Sequence, residues 1–327
     1  MLVAGHSALE SAALTVRAMP VYEKPPARPV DTYLYNLDMR EIIAKTILSA
    51  NNTMNLYRGC HHGCIYCDSR SNCYHIDHDF EDVEVKINAP ELLKKQLGSK
   101  RSHCMIATGS MSDPYQPLEK RYRLTQKALQ LIEQYGFGVS ILTKSDLILR
   151  DLSLLKRINE KTKAVVQMTI TTADDALCKL VEPNVCPSSR RYEVLKTMNE
   201  NGIPTIVWLT PLLPFINDNE QNLLTIVREC AKCGVYGILI FGLGMTLREG
   251  NREYYYQQLD KHFPGLKERY QKTYGNSYIL GVPEQNRLLE FFYKECRRYG
   301  IKTNEDAIFS YLNTFENKET KEQLTLF

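Results

Sequence analysis

From Thr53 onward, short apolar runs alternate with longer amphipathic stretches. The runs near 53–58, 103–109, 138–143, 164–171, 203–209 and 235–241 carry the β-rich composition of strands. Between them, Leu124, Ala128, Leu131, Ile132 and Tyr135 recur at helical spacing, and Gly136 follows as a stop. Leu154, Leu155 and Ile158 form the inner face of a helix that Asp151 is placed to cap, and Leu223, Leu224, Ile226, Val227 and Cys230 form another stripe, ended by Gly234. Strands alternating with helical patterns predict parallel pairing through crossover helices. Six such units predict an α/β fold, a partial (β/α)6 barrel of the TIM type with its active site at the carboxyl ends of the strands.

Both ends of the chain depart from this alternation. Residues 1–50 read as an N-terminal extension whose Pro20, Pro25, Pro26 and Pro29 suit neither a helix nor a paired strand, so this stretch is expected to wrap the outside of the core. Met19 opens a more ordinary sequence, and the first 18 residues are expected to be dispensable. Residues 51–245 read as the barrel. Residues 246–327 form a C-terminal helical region with a tyrosine run, Tyr254, Tyr255 and Tyr256; helical packing against the barrel is its expected use, covering the open side and shielding the site from water.

Composition narrows the class. With 43% hydrophobic and 24% charged residues over 327 positions, the chain suits a large globular core and excludes disordered and fibrous classes. A net charge of +3 leaves no strong electrostatic footprint for nucleic acid, so nucleic-acid binding stays open but without support from charge. No apolar run approaches the roughly 20 residues needed to span a bilayer, and residues 1–18, with His6 and Glu10, lack the pattern of a signal peptide. Ten cysteines, four of them clustered at 60–73, point to a reduced, cytoplasmic compartment where thiolates stay free for metal.

The chemistry concentrates at residues 54–67, where Cys60, Cys64 and Cys67 fall within eight positions of one loop. Three thiols so crowded point to one metal centre. A structural zinc site wants four protein ligands, usually as two pairs. Cys73, six residues on, or His61 or His62 are the residues that would close such a site; otherwise Cys73 is a small buried residue and the histidines a solvated pair. With only three thiolates, a four-iron, four-sulfur cluster keeps one iron open. The barrel places further candidates at the same end: Thr108 to Tyr115 after the second strand, Thr143-Lys144 after the third, and the stiff, apolar lip Thr210–Asp218 after the fifth. Arg190 and Arg191 open a helix, as surface charge or to reach an anionic group, and the Cys230/Cys233 pair, with Cys178 and Cys186 elsewhere, raises an auxiliary cluster against the simpler reading of core cysteines sharing a helix face.

The Cys-x3-Cys-x2-Cys spacing resembles that of the radical S-adenosylmethionine (radical SAM) enzymes. Tyr57-Arg58-Gly59-Cys60, the Thr108–Tyr115 stretch, Thr143-Lys144 followed by Arg150-Asp151, and Glu182-Pro183, in that order over roughly 50–245, resemble the spore photoproduct lyase branch of that family. The resemblance implies a 4Fe-4S cluster on Cys60, Cys64 and Cys67 whose open iron chelates S-adenosylmethionine and splits it into methionine and a 5'-deoxyadenosyl radical. It implies Tyr66 near the adenine, Ser110, Ser112 and Asp113 near the methionyl amino group, Lys144 on the carboxylate, Thr169 or Thr171 at the ribose, and Gly237 to Gly244 as an adenine-binding edge. An electron donor such as flavodoxin or ferredoxin follows, with a nucleobase as the first substrate class and a peptide or small molecule as the second. One departure stands out: Ser110 aligns with the cysteine that photoproduct lyases use to return a hydrogen atom. The reading from another class is a non-enzymatic iron–sulfur or zinc module for electron transfer or sensing, with Cys73 as fourth ligand.

Overall fold

The computed structural model describes residues 38–318; the expectations for the first 18 residues and for the proline-rich stretch fall outside them. Six parallel strands form one sheet in sequential order: β2 (Thr53–Met54), β5 (Met105–Thr108), β6 (Gly138–Thr143), β7 (Ala164–Thr169), β8 (Thr205–Trp208) and β9 (Gly237–Leu239). Every residue of β7 is buried, as expected of a central strand covered on both faces. Ile106, Val139, Ile141, Val166 and Val207 pack outward against helices that contribute Leu129, Leu155, Leu195 and Ile226. Met105, Val165, Ile206 and Leu239 point inward. The expected partial barrel is therefore the observed fold.

Five of the six expected strands lie where the apolar runs lie, and the first is split. Thr53 and Met54 pair with β5, whereas β3 (Tyr57–Arg58) turns away and runs antiparallel to β4 (Val83–Lys86), which in turn lies parallel to β1 (Met39–Ile42). Lys86 Nζ donates to the Asn55 carbonyl at 2.7 Å, tying down the corner between the two sheets. β1 and β4 escaped the sequence reading because each is four residues long and half exposed; the alternation of Val83 and Val85 with charged neighbours is their only signal. β1 also brings part of the expected N-terminal extension into a sheet.

The C-terminal region packs in two places, and the boundary drawn at residue 245 runs through a shared core. Helices Asn251–His262 and Leu266–Tyr274 bury Tyr255, Tyr256 and Tyr270 against Ile65, Tyr66, Val181 and Leu213. Tyr255 donates to the Tyr270 hydroxyl at 3.0 Å, which donates to the Pro214 carbonyl at 2.6 Å. The helix Glu305–Asn313 instead enters the barrel, placing Ile308 and Leu312 among the inward residues of the strands. Gly237 makes room for it, because a Cβ there would stand 2.9 Å from Ile308 Cδ1 and 3.0 Å from the Lys302 carbonyl. This glycine lies at the start of β9 and so admits the protein's own helix, not an adenine. Among the described residues, no helix is long and apolar enough to cross a membrane.

Lys163 fastens that helix. Its buried ammonium donates to the carbonyls of Tyr311 (2.8 Å) and Thr314 (3.2 Å), pairs with Glu316 at 2.9 Å and lies 3.6 Å from the centroid of the Tyr311 ring. Lys163→Met leaves two carbonyls without a donor, and a loss of about 1–3 kcal/mol is expected. A lowered Tm, with faster proteolytic cleavage between residues 303 and 318 than in the core, is the expected result; unchanged cleavage would show that the apolar contacts of Ile308 and Leu312 hold the helix alone.

Candidate active site

The cysteine loop has almost no regular structure, so its shape depends on side chains from elsewhere. Ser112 Oγ donates to the Gly59 carbonyl at 2.8 Å and accepts from Gln116 Nε2, while Gln116 Oε1 accepts from the His61 amide at 3.2 Å. On the other side, Asn184 Nδ2 donates to the His61 carbonyl at 2.9 Å, and the Ile65 amide donates to the Val181 carbonyl. Beneath it, Tyr66 donates its hydroxyl proton to Glu182, whose other carboxylate oxygen forms an ion pair with Arg191. Both members of that pair have fully buried side chains. Arg191 further donates to the carbonyls of Thr169, at the end of β7, and Cys186, each at 3.0 Å. Burial raises the Glu182 carboxyl, but Arg191, Lys144 and the bonds from Tyr66 and Arg191 outweigh it and hold the group below its ordinary value.

Cys60, Cys64 and Cys67 are free thiols, and all three line one cavity of about 90 Å³ at the carboxyl ends of the strands. Through Cys67, Ser110, Lys144 and Thr169 it joins a larger mouth of about 610 Å³. Gly109, with φ of +100°, allows the backbone to pass here, since a Cβ would lie 2.0 Å from the Leu142 carbonyl oxygen. Among the described residues, no three Cys, His, Asp or Glu side chains converge as the ligands of a single ion do. Three cysteine thiols on one cavity are the donor set that would suit an iron–sulfur cluster, whereas a closed zinc site would want a fourth protein ligand. Burial pushes the Cys64 and Cys67 thiols up, and Lys144 opposes that rise.

Lys144 reaches the cavity with no hydrogen-bond partner for its ammonium among the described side chains, and its Nζ lies 6.0 Å from the centroid of the Tyr66 ring. Burial lowers its pKa, yet Cys64, Glu182 and Asp113 raise it further, so the ammonium stays charged. Ser110 and Thr169 also line both cavities.

Of the other expected contacts, two border the cavity and one lies outside it. Ser112 and Asp113 border the cavity, but their polar atoms are already engaged: Asp113 accepts from Thr143 Oγ1 (2.7 Å), from the amides of Tyr115 and Lys144 (2.8 Å each), and faces His62 at 3.4 Å. They brace the loops. Thr171 is fully buried outside both cavities, because the chain leaves β7 after Thr169 and the strand alternation that would align the two threonines ends there; Asn217 and Asn222 hold its carbonyl instead. Gly242, Gly244 and Phe241 line the mouth, as do Thr210 and Pro211 of the expected lip.

His61 and His62 are buried, not solvated. Burial opposes charge on both His62 and Asp113, but Cys60 and Asp113 hold His62 up to about 10, and His62 in turn holds Asp113 down to about 2. Cys73 is exposed, accepts from Arg248 at 3.1 Å and lies away from the cavity. Arg190 pairs with Asp146 and Glu193 at the surface, whereas Arg191 reaches an anionic group of its own chain. Cys230 is a buried core residue and Cys233 donates to the Tyr192 carbonyl. Nothing in the local sequence around Glu182 signals its pairing with Arg191, nine residues on and across a turn.

The model of the Radical SAM superfamily matches residues 54–227. An uncharacterized protein of Mycobacterium tuberculosis is 31% identical over 245 residues, spanning 73% of this chain and 71% of that protein. An uncharacterized protein of Methanocaldococcus jannaschii is 36% identical over 176 residues, covering 53% of this chain and 65% of the relative. Among solved structures, spore photoproduct lyase complexed with dinucleoside spore photoproduct superimposes with a TM-score of 0.62 at 15% identity, covering 87% of this chain and 86% of that one.

Because the folded carboxyl of Glu182 sits below its unfolded value, the stability it contributes is complete above the unfolded pKa of about 4.3 and is lost as pH falls through the folded value. Glu182→Gln is therefore expected to flatten the acid side of the Tm-against-pH profile. Arg191→Met, which strands a buried carboxylate, should cost about 3–5 kcal/mol at neutral pH. A profile below pH 4.5 identical to that of the unaltered chain would mean that other carboxylates govern acid unfolding.

Proposed function

The chain belongs to the radical SAM superfamily, and on that premise we propose that Cys60, Cys64 and Cys67 hold a 4Fe-4S cluster beside a bound S-adenosylmethionine in the adjoining cavity. The observation that carries the proposal is three free thiols and a lysine ammonium with no hydrogen-bond partner among the described residues, facing the same space at the carboxyl end of a parallel sheet. Three thiols with no fourth cysteine on the same cavity among the described residues suit a cluster that takes its last ligand from the cofactor. When bound, the pair supplies a 5'-deoxyadenosyl radical able to take a hydrogen atom from substrate.

The chain's own residues bind, orient and exclude water. Lys144 is charged and available for a carboxylate. Ser110 offers a hydroxyl beside it, and Thr169, whose carbonyl Arg191 holds, is the candidate ribose contact. Tyr66, clamped by Glu182, presents its ring toward the same space as the adenine neighbour. Residues 51–245 supply the cofactor site, and the tyrosines beyond 245 keep the back of the loop dry. A nucleobase is the first substrate class, supported by likeness of fold to a lyase solved with a dinucleoside. Ser110, in place of a thiol, makes the termination step different from that lyase's, since a hydroxyl O–H bond is too strong for easy hydrogen return. A reductant such as flavodoxin or ferredoxin, in the reduced cytoplasm, completes the scheme.

Anaerobic reconstitution with iron and sulfide, reduction and addition of S-adenosylmethionine is expected to give slow formation of 5'-deoxyadenosine and a cofactor-shifted electron paramagnetic resonance spectrum. Cys64→Ala should lose the cluster and Cys73→Ala should keep it; cluster loss in the latter would favour the closed metal module. Lys144→Met should retain iron but bind S-adenosylmethionine about 10–100-fold more weakly, the worth of a charged hydrogen bond. Equal affinity would remove Lys144 from the site.

A further inference from the structure

Two of the sequence motifs line neither the cysteine cavity nor its mouth, yet they meet through Glu119. Tyr57 stands three residues before Cys60, and Arg150-Asp151 ends the short helix Asp146–Asp151, which begins two residues after Lys144. Tyr57 donates its hydroxyl proton to Glu119 Oε2 at 2.5 Å. Arg150 Nη2 donates to Glu119 Oε1 at 2.8 Å and to Asp151 Oδ2 at 2.6 Å. The side chains of both carboxylates are fully buried.

This network is complete. An ionised carboxylate has about four lone-pair sites. Glu119 fills its sites with Tyr57, Arg150 and the amides of Thr125 and Gln126. Asp151 fills its own with the Tyr115 hydroxyl (3.1 Å), Gln126 Nε2 (2.5 Å) and two bonds from Arg150. A buried polar network satisfied in this way is rigid and holds a single arrangement. Its two branches end at the site. On one, the Glu119 amide donates to the Gln116 carbonyl at 2.9 Å, and the Gln116 side chain holds the His61 amide and Ser112. On the other, Asp151 holds Tyr115, whose amide donates to Asp113, and Asp113 accepts the Lys144 amide at 2.8 Å. Arg150 is the cation common to both carboxylates.

We propose that Arg150 is a positioning residue that sets the separation between the cysteine loop and Lys144, and with it the fit of S-adenosylmethionine between them, while bordering neither cavity itself. A ligand gripped at two points is sensitive to their spacing: a misplacement of about 1 Å, caused by a change far from the chemistry, is enough to cost roughly 100-fold. The thiols and the Lys144 ammonium each remain when Arg150 is replaced; only their relation changes. The inference deepens the radical reading above and rests on it for the identity of the ligand, whereas the coupling of the two segments rests on the hydrogen bonds alone.

Arg150→Met leaves two buried carboxylates without their cation, and Arg150→Lys keeps a charge but loses the planar fork that reaches both. The full chain, reconstituted anaerobically, is compared with these variants and with Lys163→Met, which loosens the helix Glu305–Asn313 and serves as the control for lost stability. Each Arg150 variant should keep its iron, bind S-adenosylmethionine about tenfold more weakly and lose the cofactor-induced shift of the electron paramagnetic resonance spectrum. Lys163→Met should change neither affinity nor spectrum. Hydrogen exchange before iron is added supplies a readout that needs no cofactor: amides at 57–62 and at 144–149 should exchange about tenfold faster together in the Arg150 variants, with those at 164–169 unchanged. If Arg150→Met fails to fold, Arg150→Lys decides. Unaltered affinity and exchange in a folded Arg150 variant, or an equal loss of affinity in Lys163→Met, overturns the proposal. An unaltered chain that binds no S-adenosylmethionine defeats the radical reading, and hydrogen exchange then decides by itself whether Arg150 couples the two segments.

Discussion

A fully buried carboxylate, Glu182, held between Arg191 and the Tyr66 hydroxyl, organises the site. The loop that carries the three thiols lacks a helix or strand to set its course, so its geometry must come from outside. Removing two charges from water costs several kcal/mol per ion, and only good geometry with full hydrogen bonding offsets it. Arg191 meets that condition by also donating to the carbonyls of Thr169 and Cys186. One ion pair therefore fixes the loop, the end of β7 and the segment after Glu182 in a single arrangement, and its value lies in specificity more than in net stability.

The surroundings of this clamp are apolar on two sides. Tyr255, Tyr256 and Tyr270 close the back of the cysteine loop, and the helix Glu305–Asn313 closes the barrel interior. Excluding water strengthens every charge interaction between them. Lys144 shows the effect: burial alone would favour its neutral form, but the acidic groups around it keep it charged. No hydrogen-bond partner meets that ammonium among the described residues, which is why it is proposed to take an anionic ligand. The two ends of the C-terminal region thus pack against the barrel from different sides, one at the cysteine loop and one in the interior.

The sequence pattern was most legible where local and global preferences coincide. β6 and β7 are buried on both faces, so a continuous apolar run located them within a few residues. It was least legible at 53–58, where one apolar run changes sheets at Asn55, and at β1 and β4, where short half-exposed strands carry charged residues. Ser112 and Asp113 line the cavity as expected, and they also brace the loops around it, a role visible only in three dimensions because buried polar groups must satisfy their nearest neighbours.

By itself, the sequence determined what is local in the chain: the three-thiol spacing, the alternation of strand and helix, and hence the barrel and the end at which its chemistry sits. Periodicity and ligand spacing are properties of consecutive residues, so a single chain suffices to read them. Tertiary structure alone decided that Arg191 meets Glu182, that Thr169 reaches the cavity while Thr171 does not, and that a helix beginning at residue 305 lies inside a barrel begun at residue 53. Those outcomes depend on which distant surfaces can exclude water together, a condition set by packing in three dimensions and not by the order of residues along the chain.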